Sequence, residues 1–165
     1  MIAKRFEVIF VSRRNSLRSI LAQACLMQLG GDRFTALSCG QPGQVSSEVH
    51  PAALAALASA GMPVPPVHPR GWDELARASS HRADFVITLD EATLAYQPRW
   101  PGQPAAALWA FPDIAALDNA EEAAHAAIQM LHALRRRLEL LVSLPLHGAD
   151  AAAMRSDVRD LAHLQ

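Results

Sequence analysis

The segment Val11-Ser12-Arg13-Arg14-Asn15-Ser16-Leu17-Arg18-Ser19 holds the residues best suited to chemistry. It follows the apolar run Glu7-Val8-Ile9-Phe10-Val11 and opens a helical pattern. Backbone N–H groups at such a strand-to-helix turn can converge on one point, where the helix dipole also favours negative charge. Arg18 adds a planar fork suited to a tetrahedral oxyanion. From these residues alone two readings stand level: an oxyanion cradle, or an ordinary turn with arginines on its surface.

A cradle needs elements to position it. Glu7 to Val11 is short, β-branched and aromatic, the pattern of a strand buried on both faces of a parallel sheet. Similar runs recur at Phe34 to Cys39, Phe85 to Leu89 and Ala105 to Phe111. Helical stripes lie between them: Leu21, Ala24 and Cys25; Leu54, Leu57 and Ala58; Trp72, Leu75 and Ala76. Asp118-Asn119-Ala120-Glu121 resembles a capping box before a long helix whose stripe runs through Ala124, Ile128, Leu131, Leu138 and Leu141. The prolines of Gly61 to Pro66 and of Gln97 to Pro104 predict loops. Strands alternating with helices predict an α/β fold: a single three-layer domain with a parallel sheet of about four strands and helices on both faces.

Length and composition bound the rest. The chain has 165 residues, 51% of them hydrophobic, enough for one core and too short for two ordinary domains. A net charge of −1 gives no field that draws nucleic acid or an acidic membrane, so neither is expected as a partner. No run reaches the roughly 20 apolar residues of a membrane span, and residues 1–7 lack a signal-like apolar segment; a cytoplasmic protein is expected. Cys25 and Cys39 suggest neither a disulfide framework nor a metal site, and no cofactor is expected. Cys25 falls on an apolar stripe as an inert thiol, and Cys39 is the better redox candidate of the two. Glu121, His125 and His132 stand at helical spacing, but a solvated face is the better reading than a metal site. Arg135, Arg136 and Arg137 are expected at the surface near a helix C-terminus.

The loop resembles the phosphate-binding loop of low-molecular-weight tyrosine phosphatases and the thioredoxin-coupled arsenate reductases that share their fold. That loop reads Val-Cys-x-x-Gly-Asn-Ser-x-Arg-Ser, and Asn15, Ser16, Arg18 and Ser19 match it in register. Phe34 to Gly40 with Pro42 resembles the family's second strand and Ser-Ala-Gly turn. Ala60-Gly61-Met62, Pro69-Arg70 and Trp72-Asp73-Glu74-Leu75 follow in the family's order, as do Asp84 to Ala92 at the third strand and its exit. Trp109-Ala110-Phe111-Pro112-Asp113 stands where the family carries Leu-Pro-Asp-Pro. The resemblance spans residues 6 to 143. It implies a phosphatase/arsenate-reductase-like domain over residues 1–144, anion binding by Ser12, Arg13, Arg14, Asn15, Ser16, Leu17, Arg18 and Ser19, and catalytic positions at Ser12, Arg18 and Asp113.

The pattern breaks at the chemistry. The family's cysteine attacks as a thiolate, and its position here is Ser12, with no histidine in or beside the loop in sequence. The family's histidine before Pro-Lys becomes Val67, with His68 one place on. Arg14 replaces the motif glycine, Leu17 is a mild change, and Ile114 replaces the proline after Asp113. Asp113 itself reads equally as a general acid or as a cap for the next turn. A serine substituted for a native cysteine to trap substrate would have left the other positions intact. The third-strand exit, Leu89-Asp90-Glu91-Ala92, lacks the cysteines an arsenate reductase needs.

These residues predict a pseudophosphatase that binds phosphate, sulfate or an arsenate-like anion, or a phosphorylated protein. The alternatives are an active tyrosine phosphatase or a non-catalytic interaction protein. Arg13 and Arg14 are expected to point to solvent and add only diffuse positive charge. Residues 145–165 are read as a helical extension, capped by Asp150, with Met154, Val158, Leu161 and Leu164 at helical spacing. Its stripe either folds back over its own domain or covers a second copy, giving a monomer or a homodimer.

Overall fold

The computed structural model describes residues 5–77, 82–145 and 151–163. Four strands, β1 (Phe6–Val11), β2 (Phe34–Cys39), β3 (Phe85–Thr88) and β4 (Ala105–Leu108), form one sheet in the order β2-β1-β3-β4. Every pairing is parallel, with Phe10 opposite Ser38 on one side and Ile87 on the other. This is the α/β parallel sheet that the alternating pattern predicted.

The pleat of β1 divides its side chains between two cores. Val8 and Phe10 face the larger one, with Leu21, Phe85, Ile87, Leu134 and Leu138. Ile9 and Val11 face the smaller one, with Cys39, Trp72, Leu75 and Val86. Helices α1 (Arg18–Gly30), α2 (Pro51–Ser59) and α4 (Ala120–Ser143) cover the first face, and α3 (Trp72–Arg77) covers the second. Both faces of the sheet are dry, which is why its central strands read as unbroken apolar runs.

The local readings needed adjustment. Helix α2 buries Ala52, Ala53, Ala56 and Leu57, while Leu54 and Ala58 of the expected stripe are exposed. Small alanines face inward there because α2 packs closely on α4. The cap of α4 is Asn119, whose Oδ1 accepts from the amides of Glu121 and Glu122 at 2.9 and 3.0 Å. β3 and β4 end before Leu89 and Trp109, although the amides of both still bond a neighbouring carbonyl, at Val11 and Thr88.

Helix α5 (Ala151–Asp160) lies against the edge strand β4 of its own chain. Val158 is buried, Leu161 is half-buried, and the Val158 carbonyl accepts from Trp109 Nε1 at 3.1 Å. Asp150 and Leu164, and the side chain of Met154, fall outside the described residues. Among the described residues no helix is long and apolar enough to cross a membrane.

Truncation after Leu144 should therefore destabilise the domain. It leaves the buried Trp109 N–H without its acceptor, at about 1–3 kcal/mol, and removes Val158 from the core at a similar cost. Circular dichroism melts should show the midpoint falling by roughly 5–10 °C. An unchanged midpoint would mean the tail contributes nothing to its own domain, and a dimer lost on truncation would assign it to a partner copy.

Candidate functional site

Four chain segments leave the sheet at the C-terminal ends of its strands, and together they build the site. In a sheet ordered β2-β1-β3-β4 the connections leave β1 and β3 on opposite sides, which opens a crevice at that edge. The Ser12–Arg18 loop follows β1, Gly40 follows β2, Asp90 follows β3, and Phe111 and Asp113 follow β4.

The loop's peptide groups are fixed from outside. The carbonyls of Arg13, Arg14 and Ser16 accept from the amides of Gln41, Ser46 and His50 at 3.0, 3.0 and 2.9 Å. A trans peptide points its N–H opposite to the preceding carbonyl, and the described chain has no cis bond. The amides of Arg14, Asn15 and Leu17 therefore point inward. Asn15 turns the chain with φ +51°, a left-handed conformation that asparagine tolerates better than most residues. Inward amides around a left-handed residue are, in general, an arrangement suited to anions. Leu17, at the N-cap of α1, makes no side-chain cap bond, so no side chain competes for the helix's first amides.

Asn15 also fastens the loop to its surroundings. Its Oδ1 accepts from the Arg70 amide at 2.9 Å, and its Nδ2 donates to Ser19 Oγ at 2.8 Å. Ser12 Oγ lies 2.8 Å from the same Ser19 Oγ, closing the loop's two ends across its base. Gly40 allows the approach of β2's end: a Cβ there would stand 2.8 Å from the Arg13 carbonyl and 3.0 Å from the Asn15 amide. Ser12, Asn15, Ser16 and Ser19 are all buried.

The arginines are not where solvent would put them. Arg18 is 5% exposed; its guanidinium donates to Asp90 Oδ2 at 2.6 Å and to the Phe111 carbonyl at 3.0 Å, with Asp113 Oδ1 3.5 Å away. Arg14, expected to point outward, instead grips both oxygens of Asp113 at 2.8 and 3.0 Å. Arg13 Nε stands 3.7 Å from Asp90 Oδ2. The physical reason is the crevice itself: two carboxylates enter it from the β3 and β4 exits, and the guanidiniums turn in to meet them.

Asp113 stands at the N-cap of the short turn Ile114–Ala116 without capping it, since its carboxylate is spent on Arg14. That removes the capping reading. Arg137, expected on the surface, lies over the Phe111 ring with its guanidinium carbon 4.5 Å from the centroid. His50 comes beside the loop only in space. Its ring Nδ1 accepts from the Ala52 amide and caps α2.

Sequence reasoning missed Asp90 as a site residue, though it quoted the stretch. The signal was its place one residue beyond the apolar run of β3, next to β1 in any parallel sheet of this kind. Its Oδ1 also accepts from the Ala92 amide at 3.0 Å, so Asp90 holds Arg18 and the β3 exit together. Among the described residues no group of three histidine, cysteine, aspartate or glutamate side chains is placed to hold a metal.

Neither thiol belongs to the loop. Cys25 is buried on α1, and burial pushes its pKa up to about 12. Cys39 is buried under the loop, and burial pushes it higher still despite the opposing charge of Arg70. Raised values mean both stay protonated at neutral pH.

A buried strand-to-helix loop stands at the C-terminal edge of a four-stranded parallel sheet. The family model for low molecular weight phosphotyrosine protein phosphatases matches residues 7–111, and the chain belongs to that family. It is 30% identical over 107 residues to the glutaredoxin arsenate reductase of Synechocystis sp., covering 65% of this chain and 77% of that one. An arsenate reductase from Archaeoglobus fulgidus superposes with a TM-score of 0.64 at 22% identity, over 83% of this chain and 99% of that one. The tyrosine phosphatase Wzb from Escherichia coli K30, solved in complex with sulphate, gives 0.66 at 14% identity over 83% and 96%. An arsenate reductase in a phosphate-binding state gives 0.65 at 24% identity over 84% and 97%. These structures share the fold.

Two outcomes follow from this geometry. Arg18→Ala should weaken sulfate binding about tenfold or more in calorimetry, because charge-assisted hydrogen bonds contribute about 1.5–3 kcal/mol. A loss no larger than that of Arg13→Ala would mean a diffuse basic patch. Separately, a thiol-reactive chromogen should label neither cysteine in the native protein at neutral pH and both in denaturant; rapid native labelling of Cys39 would contradict its burial.

Proposed function

We propose that this family member is a pseudophosphatase. It holds a phosphate-like oxyanion, free or carried by a phosphorylated protein, in the Ser12–Arg18 loop and does not turn it over. The observation that carries this reading is the environment of Ser12. Its Oγ has one hydrogen-bond partner among the described residues, Ser19 Oγ, and neither an imidazole nor a carboxylate to take its proton. A serine hydroxyl attacks phosphorus only when an adjacent base removes that proton.

The acid side of the reaction is blocked as well. A general acid must present a protonated oxygen to the leaving group. Both oxygens of Asp113 accept from Arg14, which stands where the family keeps a glycine. Arsenate reduction lacks its thiols: Cys25 and Cys39 are buried and protonated, and the β3 exit carries Asp90.

Binding survives these losses because it uses other groups. The inward amides of Arg14, Asn15 and Leu17 need no cysteine, and fold relatives described with sulphate or in a phosphate-binding state support the same use here. The second reading is an interaction protein whose loop stays empty. It is favoured by one observation, that Arg14 and Arg18 are already matched by Asp113 and Asp90.

Hydrolysis of an aryl phosphate should stay at background in the native protein. Ser12→Cys should restore weak turnover at most, and Ser12→Cys combined with Arg14→Gly about tenfold more, since the second change frees Asp113 and general acid catalysis contributes 10²–10⁴-fold when fully placed. Native turnover that vanishes in Ser12→Ala would overturn the reading.

A further inference from the structure

We infer that Ser12 is a hydrogen-bond donor to the bound ligand, so that the site seats a tetrahedral oxyanion with one oxygen set against the Ser12 hydroxyl. The inference rests on the proposed anion-binding reading and gives the replaced residue a positive role.

The direction of each proton can be followed along one chain of contacts. The Arg70 amide can only donate, so the Asn15 atom facing it at 2.9 Å is the carbonyl Oδ1. The other end of that amide, Nδ2, then donates to Ser19 Oγ at 2.8 Å. Ser19 is fully buried, and among the described residues its Oγ has only one other partner, Ser12 Oγ at 2.8 Å. Its own hydrogen therefore goes to Ser12. The reverse arrangement would leave a buried hydroxyl hydrogen of Ser19 with no acceptor, which is the costly choice.

Ser12 Oγ thus spends a lone pair on Ser19 and keeps its hydrogen. Ser12 is 2% exposed and stands at the base of the loop whose Arg14, Asn15 and Leu17 amides point away from their outward carbonyls, so a ligand seated on those amides is the acceptor left for that hydrogen. Those amides and the hydroxyl are all donors, and a ligand oxygen with free lone pairs satisfies them. A cysteine at position 12 behaves oppositely. As a thiolate it is an acceptor with a negative charge, which suits attack and opposes a resident anion. On this view Cys to Ser exchanges a nucleophile for a receptor group.

Calorimetry with inorganic sulfate tests this in the full chain at about pH 8, on the native protein, Ser12→Ala, Ser12→Cys and Ser19→Ala, each checked by thermal melting. Ser12→Ala should bind about tenfold more weakly, the worth of one hydrogen bond to a charged group. Ser12→Cys should bind more weakly still, because a thiolate adds repulsion to the lost donor. Ser19→Ala should lose less than Ser12→Ala, since the Ser12 donor remains. Native and Ser12→Ala proteins of equal affinity, or a Ser12→Cys protein that binds as tightly as the native one, would overturn the inference while leaving the cradle intact. A native protein that takes up no sulfate overturns the anion-binding reading itself, and this inference with it.

Discussion

The backbone of residues 12–18 can face its N–H groups inward only if its carbonyls are accepted by something outside the loop. The segment after β2 supplies those partners: the amides of Gln41, Ser46 and His50 take the carbonyls of Arg13, Arg14 and Ser16. An isolated loop of this sequence would relax, because buried or clustered backbone groups without partners are costly. The cradle is thus a property of two adjacent parallel strands, β1 and β2, and of the close approach that Gly40 permits. Asn15 completes it by pinning the turn to Arg70 on one side and Ser19 on the other.

What fills the cradle's mouth follows from the strands on the far side. β3 delivers Asp90 and β4 delivers Asp113, and both find arginines of the β1 loop. Arg13, Arg14 and Arg18 against two carboxylates leave one positive charge in excess. On the proposed reading, a bound anion would share Arg18 with Asp90 and draw its remaining interaction from the loop amides and the Ser12 hydroxyl. The same pairing bears on the proposed loss of chemistry: the Arg14 side chain, where the family keeps a glycine, reaches the carboxylate that the family resemblance marks as the acid.

Much of this was legible from residue order. The unbroken apolar runs of β1 and β3 reported strands buried on both faces, and the strand–helix alternation reported a parallel sheet. The loop was legible because Asn15, Ser16, Arg18 and Ser19 keep a local spacing. Side-chain direction was not. Arg14 and Arg18 have partners 99 and 72 residues away in the chain, Asp113 and Asp90, and no local pattern encodes that distance. Asp113 read equally as a general acid or as a cap, because a cap is a local pattern, whereas its partner Arg14 is tertiary. Strand ends ran long because Leu89 and Trp109 are apolar and their amides still bond neighbouring carbonyls, although the regular strands end at Thr88 and Leu108.

The most direct measurement is a crystal structure of the protein soaked in tungstate, a heavy tetrahedral oxyanion. The expected result is one ordered anion in the loop, bonded by the amides of Arg14, Asn15 and Leu17 and by Ser12 Oγ, with Arg18 still held by Asp90. An empty loop at saturating tungstate, or an anion seated only on exposed arginines away from Ser12, would contradict a formed oxyanion cradle.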